Sequence, residues 1–191
     1  GTRLRDNLAV NTKRDVGSTV KLITVYAPAF EYLDVSTGKT IVDEPYKYVG
    51  TNTPVHNWDN KYWGTMTLRT ALIESRNVPA VKLFNEVGAD KIEDFLSRLG
   101  IQYAKIQQAN AISSNTVDQD GTKYGMSSLK LAAAYAALSN GGTYNEPQYV
   151  NKIVFADGSE EVEAFKTPGI KAMEETTAYM VTDILKGVIE S

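Results

Sequence analysis

The sequence predicts an α+β chain, rich in helix and poor in strand. Three observations carry this expectation. Apolar residues recur at helical spacing in six separate segments. Ser, Thr, Pro and Gly punctuate those segments where helix caps and stops belong. A single pair of extended apolar runs flanks an Asp-Gly turn in the manner of a hairpin.

Taken in order, residues 1–16 show no clear period and read as a loop or the end of a sheet. Gly17-Ser18-Thr19 then opens an apolar segment over 20–32, with Ser or Thr in the capping place. Pro28 lies inside it and is expected to kink or shorten the helix. Residues 35–63 are dense in Gly, Pro, Asn, Thr and aromatics, and read as a long loop that either packs on the surface or lines a cleft. Thr67 leads Leu68, Ala71 and Leu72 at helical spacing, and Asn77-Val78-Pro79 breaks the run. Pro79 can then open a second helix as its first residue, with Gly88 to end it. Asp90 is placed to cap a third helix, with Ile92, Phe95, Leu96 and Leu99 on one face and Gly100 past its end. A Ser/Asn/Gly-rich loop over 110–125 precedes an alanine-rich helix over 129–138, whose composition predicts close packing at the centre of the domain. Strands are expected over 149–155 and 160–165 around Asp157-Gly158. A last helix runs from about Met173, with Ala178, Val181, Ile184, Leu185 and Val188 as its core face. It reaches Ser191 without a Pro or Gly stop, so the length is expected to reflect a cut.

Composition narrows the chemistry. At 191 residues, with 42% hydrophobic and 23% charged residues, the chain can bury a core. Without Cys there are no thiol nucleophiles, disulfides or cysteine-ligated metal sites. A single His excludes H-E-x-x-H and leaves only His56 for a Ser–His–Asp triad; its polar loop suits a bracing role better. A net charge of −3 without a basic run argues against a nucleic-acid partner. The longest apolar run, eight residues, is far below the ~20 needed to span a bilayer. Neither a metal nor a cofactor is implied. Gly38-Lys39-Thr40 lacks the first glycine of a phosphate-binding loop, since residue 33 is Leu.

What remains economical is a serine activated by a lysine. S-x-x-K on a helix puts both side chains on one face, where a desolvated amine can take the hydroxyl proton. A helix N-terminus adds backbone N–H groups and a positive dipole end for an oxyanion. The pattern occurs three times, at Ser18/Lys21, Ser36/Lys39 and Ser127/Lys130, so it does not decide by itself. Ser36 falls in a turn with no helix to hold it, and Ser127 suits a cap of the alanine-rich helix. Ser18 alone combines a preceding Gly, a cap position and an apolar segment able to bury Lys21. S-x-N occurs at Ser75-Arg76-Asn77, a break between helices, and at Ser113-Ser114-Asn115, where turn chemistry is the ordinary reading.

Arg14-Asp15-Val16-Gly17-Ser18-Thr19-Val20-Lys21 resembles the active-site serine segment of penicillin-binding proteins. The likeness continues in order through Asp43-Glu44-Pro45-Tyr46, Thr51-Asn52-Thr53-Pro54-Val55, Asn57-Trp58-Asp59 and Ser75-Arg76-Asn77-Val78-Pro79-Ala80-Val81. It extends to Asn110-Ala111-Ile112-Ser113-Ser114-Asn115, Ala132-Ala133-Ala134-Tyr135-Ala136-Ala137, Asn140-Gly141-Gly142-Thr143-Tyr144 and Glu174-Glu175-Thr176-Thr177-Ala178-Tyr179-Met180. Together these are similar to the transpeptidase domain of class A penicillin-binding proteins. The resemblance implies the helix-rich part of a penicillin-binding/serine beta-lactamase-like fold, whose central antiparallel sheet is largely completed elsewhere. It implies a D,D-transpeptidase acting on the D-Ala–D-Ala ends of peptidoglycan stem peptides and acylated by beta-lactams. In that reading Ser18 is the nucleophile, Lys21 the acylation base and Ser75 a proton relay; Asn77 binds the substrate amide and orients Lys21. Trp58 walls the cleft, or else is a core aromatic. The implied location is the extracellular face of the bacterial cytoplasmic membrane.

Two departures qualify the match. Leu22 follows Lys21 where many relatives carry Pro, and no K-T-G occurs anywhere. The expectation is therefore that residues 1–191 are the N-terminal portion of the domain, cut before K-T-G and completed by a C-terminal fragment that carries it. The rival readings are a D,D-carboxypeptidase or beta-lactamase-type hydrolase, and a non-catalytic module that binds peptidoglycan through the aromatic loop.

Overall fold

The computed structural model describes residues 16–114, 116–117, 123–124, 126–148, 153–161 and 167–190. Its hub is one helix, α1, over residues 17–32. Every residue from 20 to 30 is buried, which is what a helix apolar on all sides requires. Around α1 pack α3 (Asn77–Val87), α4 (Ala89–Arg98), a 3₁₀ turn at Gln108–Ala111 and α6 (Glu175–Glu190). The short α2 (Leu68–Ile73) packs against α3 and α6, and α5 (Ser128–Ser139) packs against α6.

Pro28 neither ends nor shortens α1. The helix opens as a 3₁₀ turn at Gly17–Thr19, widens to a π-helical stretch at Leu22–Tyr26 and closes as α-helix at Ala27–Tyr32. Pro28 has no N–H to give the carbonyl four residues earlier, so the preceding turn cannot keep the α ladder. The wider turn absorbs this, with Ala27 N bonding the Leu22 carbonyl.

The stretch 35–63 is more ordered than its composition suggests. β1 (Thr40–Asp43) pairs antiparallel with β4 (Gly64–Thr67), Ile41 opposite Met66 on the buried face. Between them β2 (Tyr46–Lys47) and β3 (Pro54–Val55) form a second ladder, Tyr46 opposite Val55. These ladders are too short to register as period-2 alternation. Further two-stranded ladders join β5 (Thr116–Val117) to β6 (Lys123–Tyr124), β7 (Thr143–Tyr144) to β10 (Ile170–Lys171), and β8 (Ile153–Val154) to β9 (Glu160–Glu161). The β8–β9 pair is the predicted hairpin, with only its inner ends among the described residues. The expected strand residues 149–152 and 162–165 lie outside them, as do residues 1–15, Asn115 and the Val188 side chain.

The caps at Thr67 and Ser127 follow the sequence rules, but the expected Asp90 cap does not form: α4 already begins at Ala89, so Asp90 lies inside its first turn and no side chain caps the helix. The Thr67 hydroxyl accepts from Thr70 N at 3.1 Å and the Ser127 hydroxyl from Lys130 N at 3.2 Å. α3 starts at Asn77, two residues before the expected Pro79, which sits in its first turn. Ile92, Phe95, Leu96 and Leu99 are all buried as predicted, Phe95 meeting Tyr32 edge-on at 6.5 Å. The alanine-rich α5 is not the centre of the fold. Only Ala134, Ala137 and Leu138 of it are buried, because its alanines face outward as well as inward.

α6 is fastened to the hub by polar bonds. Glu31 accepts the Thr177 hydroxyl at 2.6 Å and Glu174 N at 3.1 Å, and Arg69 of α2 pairs with Asp183. Gly142 closes the α5 end at φ +87°, its carbonyl accepting from Ala172 N at 2.9 Å. A Cβ there would lie 2.3 Å from the Met173 carbonyl oxygen, whereas at Gly158 (φ +82°) it would meet open space. Gly158→Ala should cost about 1 kcal/mol, the left-handed penalty alone. Gly142→Ala should cost clearly more, because backbone must also move. Paired thermal denaturation checks this, and equal losses would contradict the close approach.

Candidate active site

Ser18 lies in the 3₁₀ turn that opens α1 and is exposed, while Lys21, three residues on, is fully buried. The helix enters the protein at this point, so one face carries a solvent-facing hydroxyl above a desolvated amine. Gly17 takes φ +55° as the chain enters the turn. Val16 N bonds the Ser114 hydroxyl at 3.0 Å, and the Tyr135 hydroxyl bonds the Thr19 carbonyl at 3.2 Å. The start of α1 is thus tied to two other parts of the chain.

Lys21 Nζ donates to Ser18 Oγ at 3.3 Å, to Ser75 Oγ at 2.9 Å and to the Ser75 carbonyl at 2.5 Å. These contacts use all three donors of an ammonium. Burial, with the nearby Arg76 charge as a second cause, lowers the Lys21 pKa to about 7. An amine in that range, within reach of two hydroxyls, can accept a proton from one and pass it to the other.

Ser75 sits between α2 and α3 in a left-handed conformation, φ +51°. A non-glycine residue there needs its neighbours to hold it. Those neighbours are explicit. Ser75 N and Arg76 N both bond back into α2, to the Leu72 and Ala71 carbonyls at 2.9 Å. Asn57 Oδ1 accepts from Asn77 N at 2.9 Å and Val78 N at 3.2 Å. Arg76, fully buried, turns away from the cleft. Its guanidinium donates to Asp43 Oδ2 at 2.9 Å and to the Lys61 carbonyl at 2.5 Å, and its Nη1 forms an ion pair with Asp59 Oδ2 at 3.0 Å, under the Trp63 ring at 4.4 Å. The Arg76 guanidinium beside it holds the Asp59 carboxyl down at about 2. Asp43 Oδ1 in turn accepts from Asn57 Nδ2 at 2.7 Å.

Among the expected site residues, Ser18, Lys21 and Ser75 are brought together. Asn77 lies beside them but makes no hydrogen bond with Lys21; its Nδ2 donates to the His56 carbonyl at 2.7 Å. Trp58 is two-thirds exposed and donates to the Glu74 carbonyl at 3.3 Å, which puts it over the Ser75 turn rather than in the core. His56 is exposed and contributes its backbone. Sequence reasoning missed the Asp43, Asn57, Asp59, Trp63 and Arg76 group. Its one available signal was a basic residue inside S-x-N and two acids inside an aromatic loop.

Residues 3–191 match the family described as penicillin binding protein transpeptidase domain. The chain belongs to that family. Its transpeptidase-family relatives include Penicillin-binding protein 1A of Streptococcus pneumoniae, 58% identical over 184 residues, 96% of this chain and 25% of that protein. Penicillin-binding protein 1A/1B of Bacillus subtilis is 40% identical over 186 residues, 97% of this chain and 20% of that one. The D,D-transpeptidase domain of a peptidoglycan glycosyltransferase from Eggerthella lenta has the same fold at a TM-score of 0.79 and 22% identity, covering 97% of this chain and 51% of that chain. Penicillin-binding protein A from M. tuberculosis, solved as an imipenem acyl-enzyme complex, follows at 0.78 and 21%, covering 97% and 46%. The chain spans about a quarter of the length of the S. pneumoniae relative. Among the described residues of this transpeptidase-family chain, no helix is long and apolar enough to cross a membrane.

In ¹⁵N-detected NMR of the lysine side chains, Lys21 should titrate with a midpoint of about 7, against about 10.4 for exposed lysines. The resonance missing from Lys21→Met identifies it. A midpoint at the exposed value would contradict the burial of the amine.

Proposed function

We propose that this chain supplies the serine, the base and the relay of a D,D-transpeptidase that cross-links peptidoglycan stem peptides. The observation that supports it most is the Lys21 amine, buried and bonded at once to Ser18 Oγ at 3.3 Å and Ser75 Oγ at 2.9 Å. Family membership supplies the reaction class. In the acylation step Ser18 Oγ attacks the carbonyl carbon between the two D-Ala residues while its proton passes to neutral Lys21. The oxyanion forms at the N-terminal end of α1, where the positive end of the helix dipole favours negative charge. Collapse breaks the amide C–N bond. The departing D-Ala amine takes its proton through the Ser75 hydroxyl, which Lys21 replenishes. An acceptor amine then attacks the Ser18 ester, forms the cross-link amide and returns the proton to Ser18 Oγ by the same route.

Asn77 binds the substrate amide in this reading, and Trp58 walls the cleft. A beta-lactam enters as a strained amide and leaves Ser18 acylated. Residues 1–191 act as the N-terminal portion of the domain, with a complementary segment carrying K-T-G to line the opposite wall. The site of action is the extracellular face of the cytoplasmic membrane.

The test uses the protein carrying this chain together with the rest of its transpeptidase domain. Fluorescent penicillin should label the unaltered protein and not Ser18→Ala, with the adduct on the Ser18 peptide in mass spectrometry. Lys21→Ala should slow acylation about 10²-fold or more. The acylation rate should rise with pH through about 7, as the share of neutral Lys21 grows. Labelling that survives Ser18→Ala would overturn the assignment. With a stem-peptide donor, a product that incorporates an added amine separates transfer from hydrolysis. Peptidoglycan retention without any acylation would favour a binding module.

A further inference from the structure

The S-x-N turn has two sides. Ser75 and Asn77 are partly exposed on the cleft side, and the residue between them is buried beneath it. That residue is Arg76, and a buried guanidinium is costly unless its charge is paired. Here it is held by two carboxylates, a backbone carbonyl and an aromatic ring. This clamp braces the loop 43–63, and it also ends on the very turn whose carbonyl and hydroxyl hold Lys21 Nζ.

We infer that Arg76, clamped by Asp43 and Asp59 beneath Trp63, is a positioning residue that fixes the Ser75 turn and sets a permanent positive charge behind the Lys21 amine. The inference rests on the proposed role of Lys21 and deepens it. A fixed cation beside an ammonium disfavours its protonation, so Arg76 keeps the amine ready to act as a base. Asp43 and Asp59 limit how strongly that field reaches Lys21.

Among the described residues, the charges around Lys21 leave this role to Arg76. α1 carries no other charged residue between 16 and 30. The 3₁₀ turn Gln108–Ala111 is uncharged, and on α3 Lys82 and Glu86 are paired at the surface with Glu44 and Lys39. The charged residues of α4 lie on its exposed face. From α5 the group facing the start of α1 is the Tyr135 hydroxyl, bonded to the Thr19 carbonyl. In the 74–77 turn Glu74 uses its carbonyl toward Trp58. Among the described residues, the charge seated directly behind the turn that holds Lys21 Nζ is that of Arg76.

The test is the pH profile of penicillin acylation in the same complete transpeptidase protein. Arg76→Gln removes the cation, so the rising limb should move to higher pH by about 1 unit, a shift typical of one neighbouring charge. Asp43→Asn leaves Asn57 its acceptor but removes a counter-charge, so the limb should move to lower pH. Arg76→Lys keeps the charge and should restore the position of the limb even where the rate stays low. Opposite shifts in the first two variants support the inference. Lower rates with every limb unmoved would overturn it and leave a purely structural brace. If Arg76→Gln does not fold, the Asp43→Asn shift decides alone, and an unmoved limb there counts against the inference. An unaltered protein that fails to be labelled would instead defeat the proposed function.

Discussion

Everything near the site depends on holding one amine out of water. A lysine ammonium in an apolar interior is expensive, and the structure answers by lowering the tendency of Lys21 to be charged and by using each of its donors. That burial exists only because residues 20–30 are enclosed on every side. The surrounding helices therefore set the environment of the base as well as stabilising the fold. The same helix brings its first turn to the surface, so a dry amine and a wet hydroxyl stand three residues apart.

The second element of the site is built by charge rather than by apolar packing. Arg76 and Asp43 are both fully buried, and breaking such a pair by removing one partner typically costs about 3–5 kcal/mol. Burial works against the Arg76 charge, yet the bonds from Asp59 and Asp43 raise its pKa above the ordinary value. The loop that supplies both acids is the aromatic-rich stretch between β1 and β4. Its order is thus a requirement of the Ser75 turn, since Asn57 and Asp43 connect the two directly.

Much of this was legible in the sequence, and the reasons are local. Caps at Thr67 and Ser127, the stop at Gly88 and the buried stripe of α4 depend on neighbours in the chain, which sequence patterns report well. The choice of Ser18 over Ser36 and Ser127 also rested on a local argument, the apolar run that follows it. The misses are contacts between distant residues. Nothing at Asp43 announces Arg76, thirty-three positions away. Four-residue strands such as Thr40–Asp43 are too short for a period to stand out from loop composition. The alanines of α5 misled because small residues suit a crowded interface and an exposed helix face equally well.

The widened turn in α1 has a geometric meaning beyond accommodating Pro28. An α-helix advances by about 100° per residue, and a π-helical turn holds roughly one residue more than an α turn. The stretch Leu22–Tyr26 is therefore an angular offset set between two parts of one rod. Upstream of it the rod must aim Ser18 and Lys21 at the Ser75 turn. Downstream it must seat Ala27, Ala29 and Phe30 in the core and present Glu31 to α6. A strictly α-helical rod of the same length could not keep both bearings. Deleting one residue from this stretch would let it close as an ordinary α turn with both bearings kept, whereas forcing the full-length stretch into α geometry would swing its upstream end by about 100°, leaving the serine and the lysine intact and pointed elsewhere.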